Sequence, residues 1–187
     1  MEYVKDLETP AVIVDLDIME KNLKHTAELA RNAGVKLRPH CKTHKSIWIA
    51  KKQLEYGAAG ITVAKLSEAE VMVNGGIDDI LVAYPIVGEK KLKRLEKLIK
   101  RASIIVCTDS VEVSQGLSDL GVSMGRKIKT YVQVNSGLQR CGREPGEETV
   151  ELVKSIIGLP GIEIIGLITH AGFSYDYVGE DSIRAAA

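Results

Sequence analysis

Aromatic side chains are scarce in this chain: they make up 4% of its 187 residues, with one Trp and one Phe. A core of ordinary size then has to be built from Ile, Val, Leu and Ala, which suits parallel strands buried under helices. Charge of one sign is missing as well. Lys and Arg number 25, Asp and Glu number 25, and the net charge is zero. Such a balance supplies no field to gather nucleic acid or an anionic membrane surface. No apolar run approaches the length that crosses a bilayer. Cys41, Cys107 and Cys141 stand far apart, with no CxxC pair, and residues 1–9 carry no signal-peptide pattern. An odd count of scattered thiols without a targeting segment points to a reducing cytoplasm. Hydrophobic residues nevertheless reach 45%, ordinary for a globular protein with a real core.

What is present is an alternation of short apolar runs with longer amphipathic ones. The pattern predicts strands over residues 11–14, 35–40, 60–64, 79–83, 103–107, 129–134 and 162–169. It predicts helices over 15–33, 45–56, 67–74, 89–101, 110–120 and 146–157. Gly34, Gly57, Gly75-Gly76 and Gly121 read as helix stops, and Ser67 as an N-cap. Repeated strand–helix units indicate an α/β fold with a parallel sheet. Setting the first strand aside, six units run from Val35 to Thr169. No GxGxxG follows the first strand, so a (β/α) barrel is preferred to an open dinucleotide-binding sheet. A barrel closes with eight units in about 250 residues. The final residues read as the opening of another helix capped by Asp181 or Ser182, so the expectation is a fragment of a longer protein.

Polar residues fall at or just past the C-terminal ends of the predicted strands, the rim that carries active sites in parallel barrels. Leu37-Arg38-Pro39-His40-Cys41-Lys42-Thr43-His44-Lys45 is the densest such segment. A lysine among cations is easier to deprotonate, and a neutral amine is what an imine-forming catalyst needs. If residues 35–42 are extended, Arg38, His40 and Lys42 share a face. Pro39 works against a central strand there. The alternative is a solvated basic loop. Arg140 sits in a glycine-punctuated loop after the strand at 129–134 and looks buried; it binds an anionic ligand oxygen, or the segment is a turn whose arginine caps a helix or sits in solvent. His170 and Tyr175 follow the strand at 162–169, where a structural histidine is the alternative to a functional one. His25 reads as surface. The spacing from His40 to His44 is too compact for a zinc site, so no metal ligand is expected in this chain.

Four segments, in order, carry a resemblance: Arg38-Pro39-His40-Cys41-Lys42-Thr43-His44-Lys45, Leu81-Val82-Ala83-Tyr84-Pro85, Val134-Asn135-Ser136-Gly137-Leu138-Gln139-Arg140-Cys141-Gly142 and Thr169-His170-Ala171-Gly172-Phe173-Ser174-Tyr175. The chain resembles the D-threonine aldolase / D-serine dehydratase-like family, of the alanine-racemase-like fold type III of pyridoxal-phosphate enzymes. The likeness runs from Thr9-Pro10-Ala11 to the end. It implies a TIM-type (β/α)8 barrel over residues 16–187, carrying about six of the eight units. Residues 1–15 would be an N-terminal strand segment associated with a C-terminal β domain that the chain does not include. The resemblance implies that Lys42 holds pyridoxal 5'-phosphate as a Schiff base. Arg140 is implied near the ring's phenolic oxygen, His170 against the pyridine ring, and Tyr175 in contact with the cofactor. Lys42 and His170 are thus the catalytic candidates. The implied activity is a lyase for D-3-hydroxy amino acids, by aldol cleavage or by dehydration. A non-catalytic pyridoxal-phosphate-binding homeostasis protein and an amino-acid racemase are the alternatives. Family phosphate loops and a zinc or manganese site lie further along than this chain reaches, and a homodimer is expected. Phe173 stands where many relatives have a polar residue.

Overall fold

The computed structural model describes residues 4–186; residues 1–3, which open the expected N-terminal segment, and Ala187 lie outside the described residues. Five parallel strands form one sheet: β1 (Ile61–Val63), β2 (Asp79–Val82), β3 (Ser103–Thr108), β4 (Ile128–Val134) and β5 (Ile162–Thr169). Neighbours in space are neighbours in sequence, from β1 to β5. A doubly wound sheet reverses its strand order at a switch point; this one never does, so it is a run of barrel wall. Between the strands lie α3 (Leu66–Asn74), α4 (Glu89–Ile99), α5 (Val111–Ser123) and α6 (Glu147–Ile156). Helices α1 (Leu16–Asn32) and α2 (Ile47–Glu55) precede the sheet, and α7 (Glu180–Ala186) follows it. No described helix is long and apolar enough to cross a membrane.

The sheet's two faces divide by residue parity, as pleated strands require. Ile61, Val63, Ile80, Val82, Val106 and Val132 enter the helix-covered core. Leu95, Leu117 and Ile156 meet them from α4, α5 and α6 and are fully shielded from solvent. Thr62, Leu81, Tyr131 and Gln133, on the opposite parity, line a cavity on the other face. The scarcity of aromatics is met as expected, by aliphatic packing. Helix starts are set by local chemistry: Asp15 accepts a hydrogen bond from Ile18 N at 3.0 Å, Ser46 from Ile49 N at 3.3 Å, and Ser110 from Val113 N at 3.2 Å.

Several expectations need correction. Residues 11–14, expected to pair with a C-terminal β domain and not with this sheet, join none of its strands among the described residues, and Val12 is 99% exposed. Residues 35–40 reach the sheet through a single bridge, His40 to Thr62, because Pro39 has no N–H to extend a ladder. The sheet therefore counts five strands rather than six. Ser67 is not the cap of α3: Lys65 holds that position without a side-chain bond, and the Glu68 carboxylate accepts from Ala64 N at 2.8 Å instead. α7 starts at Glu180, one residue ahead of the expected caps.

Gly121 does not end its helix, which continues to Ser123. Its role is close approach. A Cβ there would stand 2.0 Å from the carbonyl oxygen of Gly161, where α5 passes the start of β5. Gly116 lies on the same helix with only Leu92 at 3.4 Å. This separates propensity from packing. Alanine gains about 1 kcal/mol over glycine in a helix interior. Overpacking costs about 1–3 kcal/mol. Gly116→Ala should be neutral or stabilising by urea denaturation. Gly121→Ala should lower the midpoint. Equal effects at the two sites would contradict the close-packing role.

Candidate active site

Lys42, Arg140, His170 and Tyr175 come from three separate segments and line one cavity of about 720 Å³. That volume lies in the range typical of small-molecule sites. The cavity occupies the sheet face opposite α3 to α6, and its lining also includes Lys36, Arg38, His40, Tyr131, Gln133 and Thr169.

Backbone bonds hold the Lys42 segment. Ala59 N donates to Leu37 O at 2.8 Å, Thr62 N to Pro39 O at 2.7 Å, and Cys41 N to Thr62 O at 2.8 Å. Arg38 fastens the same stretch from its side chain: Nη1 donates to Asp79 Oδ1 at 2.7 Å, on β2. The extended run turns alternate residues one way. Lys36, Arg38, His40 and Lys42 face the cavity, and Cys41 is buried on the far side. The shared face expected for Arg38, His40 and Lys42 is what the chain adopts. Burial pushes the Cys41 thiol up to about 11, so it is held as the inert thiol.

The loop after β4 carries Arg140. Its side chain is exposed at the cavity edge, not buried as its surroundings in the sequence suggested, because the loop projects beyond the strand ends. His170 follows β5 and is half-buried. The Tyr175 ring meets it edge-on, with centroids 5.8 Å apart and planes at 66°. Burial holds the His170 imidazole below its ordinary range, and the charges of Arg140 and Lys42 add to that effect. His40 is lowered by burial and then by Lys42. Among the described residues no carboxylate lines the cavity. The Phe173 side chain lies outside the described residues.

Lys36, Tyr131 and Gln133 are among the lining residues that the sequence reading does not single out. Lys36 was within reach, since it shares parity with Arg38, His40 and Lys42. Tyr131 and Gln133 face the cavity only because β4 turns its odd-numbered residues there, and nothing local to the strand marks that choice. Gln133 Nε2 donates to Cys141 Sγ at 2.9 Å, while its buried Oε1 has no partner among the described residues. An amine, a guanidinium, a hindered imidazole and an unpartnered amide around one basic cavity fit an anionic, aldehyde-bearing aromatic group. Metal chemistry has no comparable support: no group of three or more His, Cys, Asp or Glu among the described residues could hold an ion.

Burial lowers His40, His44 and His170 alike. Each is therefore easier to protonate in the unfolded chain, and acid favours that state. The stability they contribute is complete above the ordinary imidazole value, about 6.5, and is lost as the pH falls below it. The urea midpoint should drop between pH 7.5 and pH 5. An unchanged midpoint would show that the three rings are not shielded.

Comparison with known proteins agrees with the geometry. Residues 14–186 match the family model of the alanine racemase N-terminal domain. A D-threonine aldolase of Arthrobacter sp is 36% identical over 171 residues, covering 91% of this chain and 45% of that protein. A D-threo-3-hydroxyaspartate dehydratase of Delftia sp. is 32% identical over 184 residues, covering 97% of this chain and 48% of that protein. The crystal structure of D-threonine aldolase from Filomicrobium marinum superposes with a TM-score of 0.93 at 38% identity, covering 98% of this chain and 50% of that one. The chain spans about half the length of the curated relatives it matches. It belongs to the alanine racemase N-terminal domain family, and its likeness within that family is to the D-threonine aldolase-like proteins.

Proposed function

We propose that this chain forms the cofactor and substrate site of a pyridoxal-5'-phosphate-dependent lyase for D-3-hydroxy amino acids. The observation that carries the reading is the convergence of Lys42, Arg140, His170 and Tyr175 on one cavity that, among the described residues, is lined by no carboxylate. The printed activities of the relatives, an aldolase for D-threonine and a dehydratase for D-threo-3-hydroxyaspartate, support the substrate class.

Pyridoxal phosphate, when bound, supplies an electron sink that weakens the bonds at the Cα of an amino acid. The chain's residues do the rest. Lys42 presents the amine that would hold the aldehyde. Arg140 offers charge-assisted hydrogen bonds to an anionic oxygen. His170, kept neutral near pH 7 by burial and its cationic neighbours, can pack against a ring or accept a proton at a ring nitrogen. Tyr175 braces the His170 ring from its edge. Leu81, Ala83 and Leu167 give the cavity an apolar stretch of wall.

The same reading places residues 1–15 with a C-terminal β domain, and the whole protein as a homodimer in the cytoplasm. It also includes zinc or manganese in the whole protein. Among the described residues no group of three or more His, Cys, Asp or Glu could hold such an ion.

The test is titration of the purified chain with pyridoxal 5'-phosphate, followed by borohydride reduction and peptide mass spectrometry. The pyridoxyl mass should fall on Lys42, and Lys42→Ala should lose the visible absorbance of the lysine-bound cofactor. Arg140→Ala should weaken binding by about 1.5–3 kcal/mol, the worth of a hydrogen bond to a charged group. That corresponds to roughly ten- to hundredfold in affinity. Label spread over surface lysines would sink the assignment.

A further inference from the structure

Arg140 lies on a loop joining β4 to α6, where side chains seldom hold a fixed position unaided. Two residues just past the end of β4 make several of the contacts that fix this edge of the cavity. We propose that Asn135 and Ser136 are positioning residues: Asn135, bonded to Glu144, sets where Arg140 stands, and Ser136 sets where His170 stands.

Asn135 is buried, and both ends of its amide are in use. Its Oδ1 accepts from Gly137 N at 3.2 Å and from Gln139 N at 3.1 Å. Its Nδ2 donates to Glu144 Oε1 at 2.6 Å. Its backbone N donates to Arg143 O at 2.7 Å, so the loop folds back onto the residue where it began. Arg140 is flanked by two left-handed positions, Gln139 at φ 55° and Gly142 at φ 100°. L residues adopt that region rarely. Both positions are tied to Asn135. Gln139 N bonds its side chain, and a Cβ on Gly142 would stand 2.7 Å from its backbone nitrogen. Asn135 thus holds the N-terminal half of the stretch that presents Arg140, while Asp109 accepts from Gly142 N at 3.3 Å and from Arg143 Nε at 2.9 Å on its far side.

Ser136 acts on the neighbouring strand. Its Oγ donates to His170 O at 3.1 Å, and Thr169 Oγ1 stands 2.6 Å from that Oγ. Adjacent side chains thereby reach the two cavity groups contributed by the β4 and β5 ends. The inference about ligand affinity rests on the proposed cofactor reading; the inference about side-chain placement does not.

The full chain is tested in two measurements. In the first, NMR titration follows His170 without any cofactor. Arg140 contributes to holding that imidazole low, so Asn135→Ala should raise its midpoint as Arg140→Ala does. The double variant should go no further, and His44, whose shift has burial as its main cause, serves as control. In the second, pyridoxal 5'-phosphate is titrated by absorbance. Asn135→Ala and Glu144→Ala should weaken binding about tenfold. Glu144→Gln, which keeps the acceptor oxygen, should restore it. A folded Asn135→Ala, judged by its melting transition, with wild-type His170 titration would overturn the proposal. Should that variant not fold, the pair Glu144→Ala and Glu144→Gln decides: equal His170 titration in both would overturn it. If the wild-type chain binds no pyridoxal phosphate, the cofactor reading fails, while the titration still decides the positioning role.

Discussion

Everything at the cavity depends on one short stretch of backbone pairing, where Thr62 receives the chain on both sides of His40. Thr62 N donates to Pro39 O and Thr62 O accepts from Cys41 N. These two bonds fix the strand parity of the segment. A slip of one residue would turn Lys42 into the packed layer and Cys41 into the cavity. Charge cannot enter that layer cheaply. The Arg38 to Asp79 ion pair holds the same register from the next strand over. Pro39 limits the pairing to this one bridge, so the segment is bound firmly enough to be placed while Lys42 stays exposed at the rim.

The electrostatics follow from that placement. Lys42 and Arg140 reach the cavity from separate segments, and His170 feels both charges. Arg38 is neutralised by Asp79, whereas Lys36, Lys42 and Arg140 face the cavity without an acidic neighbour in its lining. A neutral protein overall has thus gathered positive charge at one concavity. This favours an anion there even though the chain as a whole attracts none.

The alternation of elements was legible because β1 to β3 are nearly continuous apolar runs, and parallel strands packed beneath helices write that pattern plainly. β5 was read to its bounds, Ile162–Thr169. The misread places are those where tertiary contact overrode a local signal. Gly121 looks like a helix stop, but it is there to admit the Gly161 backbone. The basic segment around Lys42 was legible by parity alone, and the roles implied for Arg140, His170 and Tyr175 came from resemblance. The Asn135 brace left no readable mark, since an asparagine before a glycine-punctuated loop is ordinary turn chemistry. Only the folded loop shows where its bonds go.

The most direct measurement is a crystal structure of the chain grown with pyridoxal 5'-phosphate. The account predicts density continuous with the Lys42 amine, with the Arg140 guanidinium and the His170 ring both in contact with the ligand. A ligand bound elsewhere, with the Lys42 amine turned out into solvent, would contradict it.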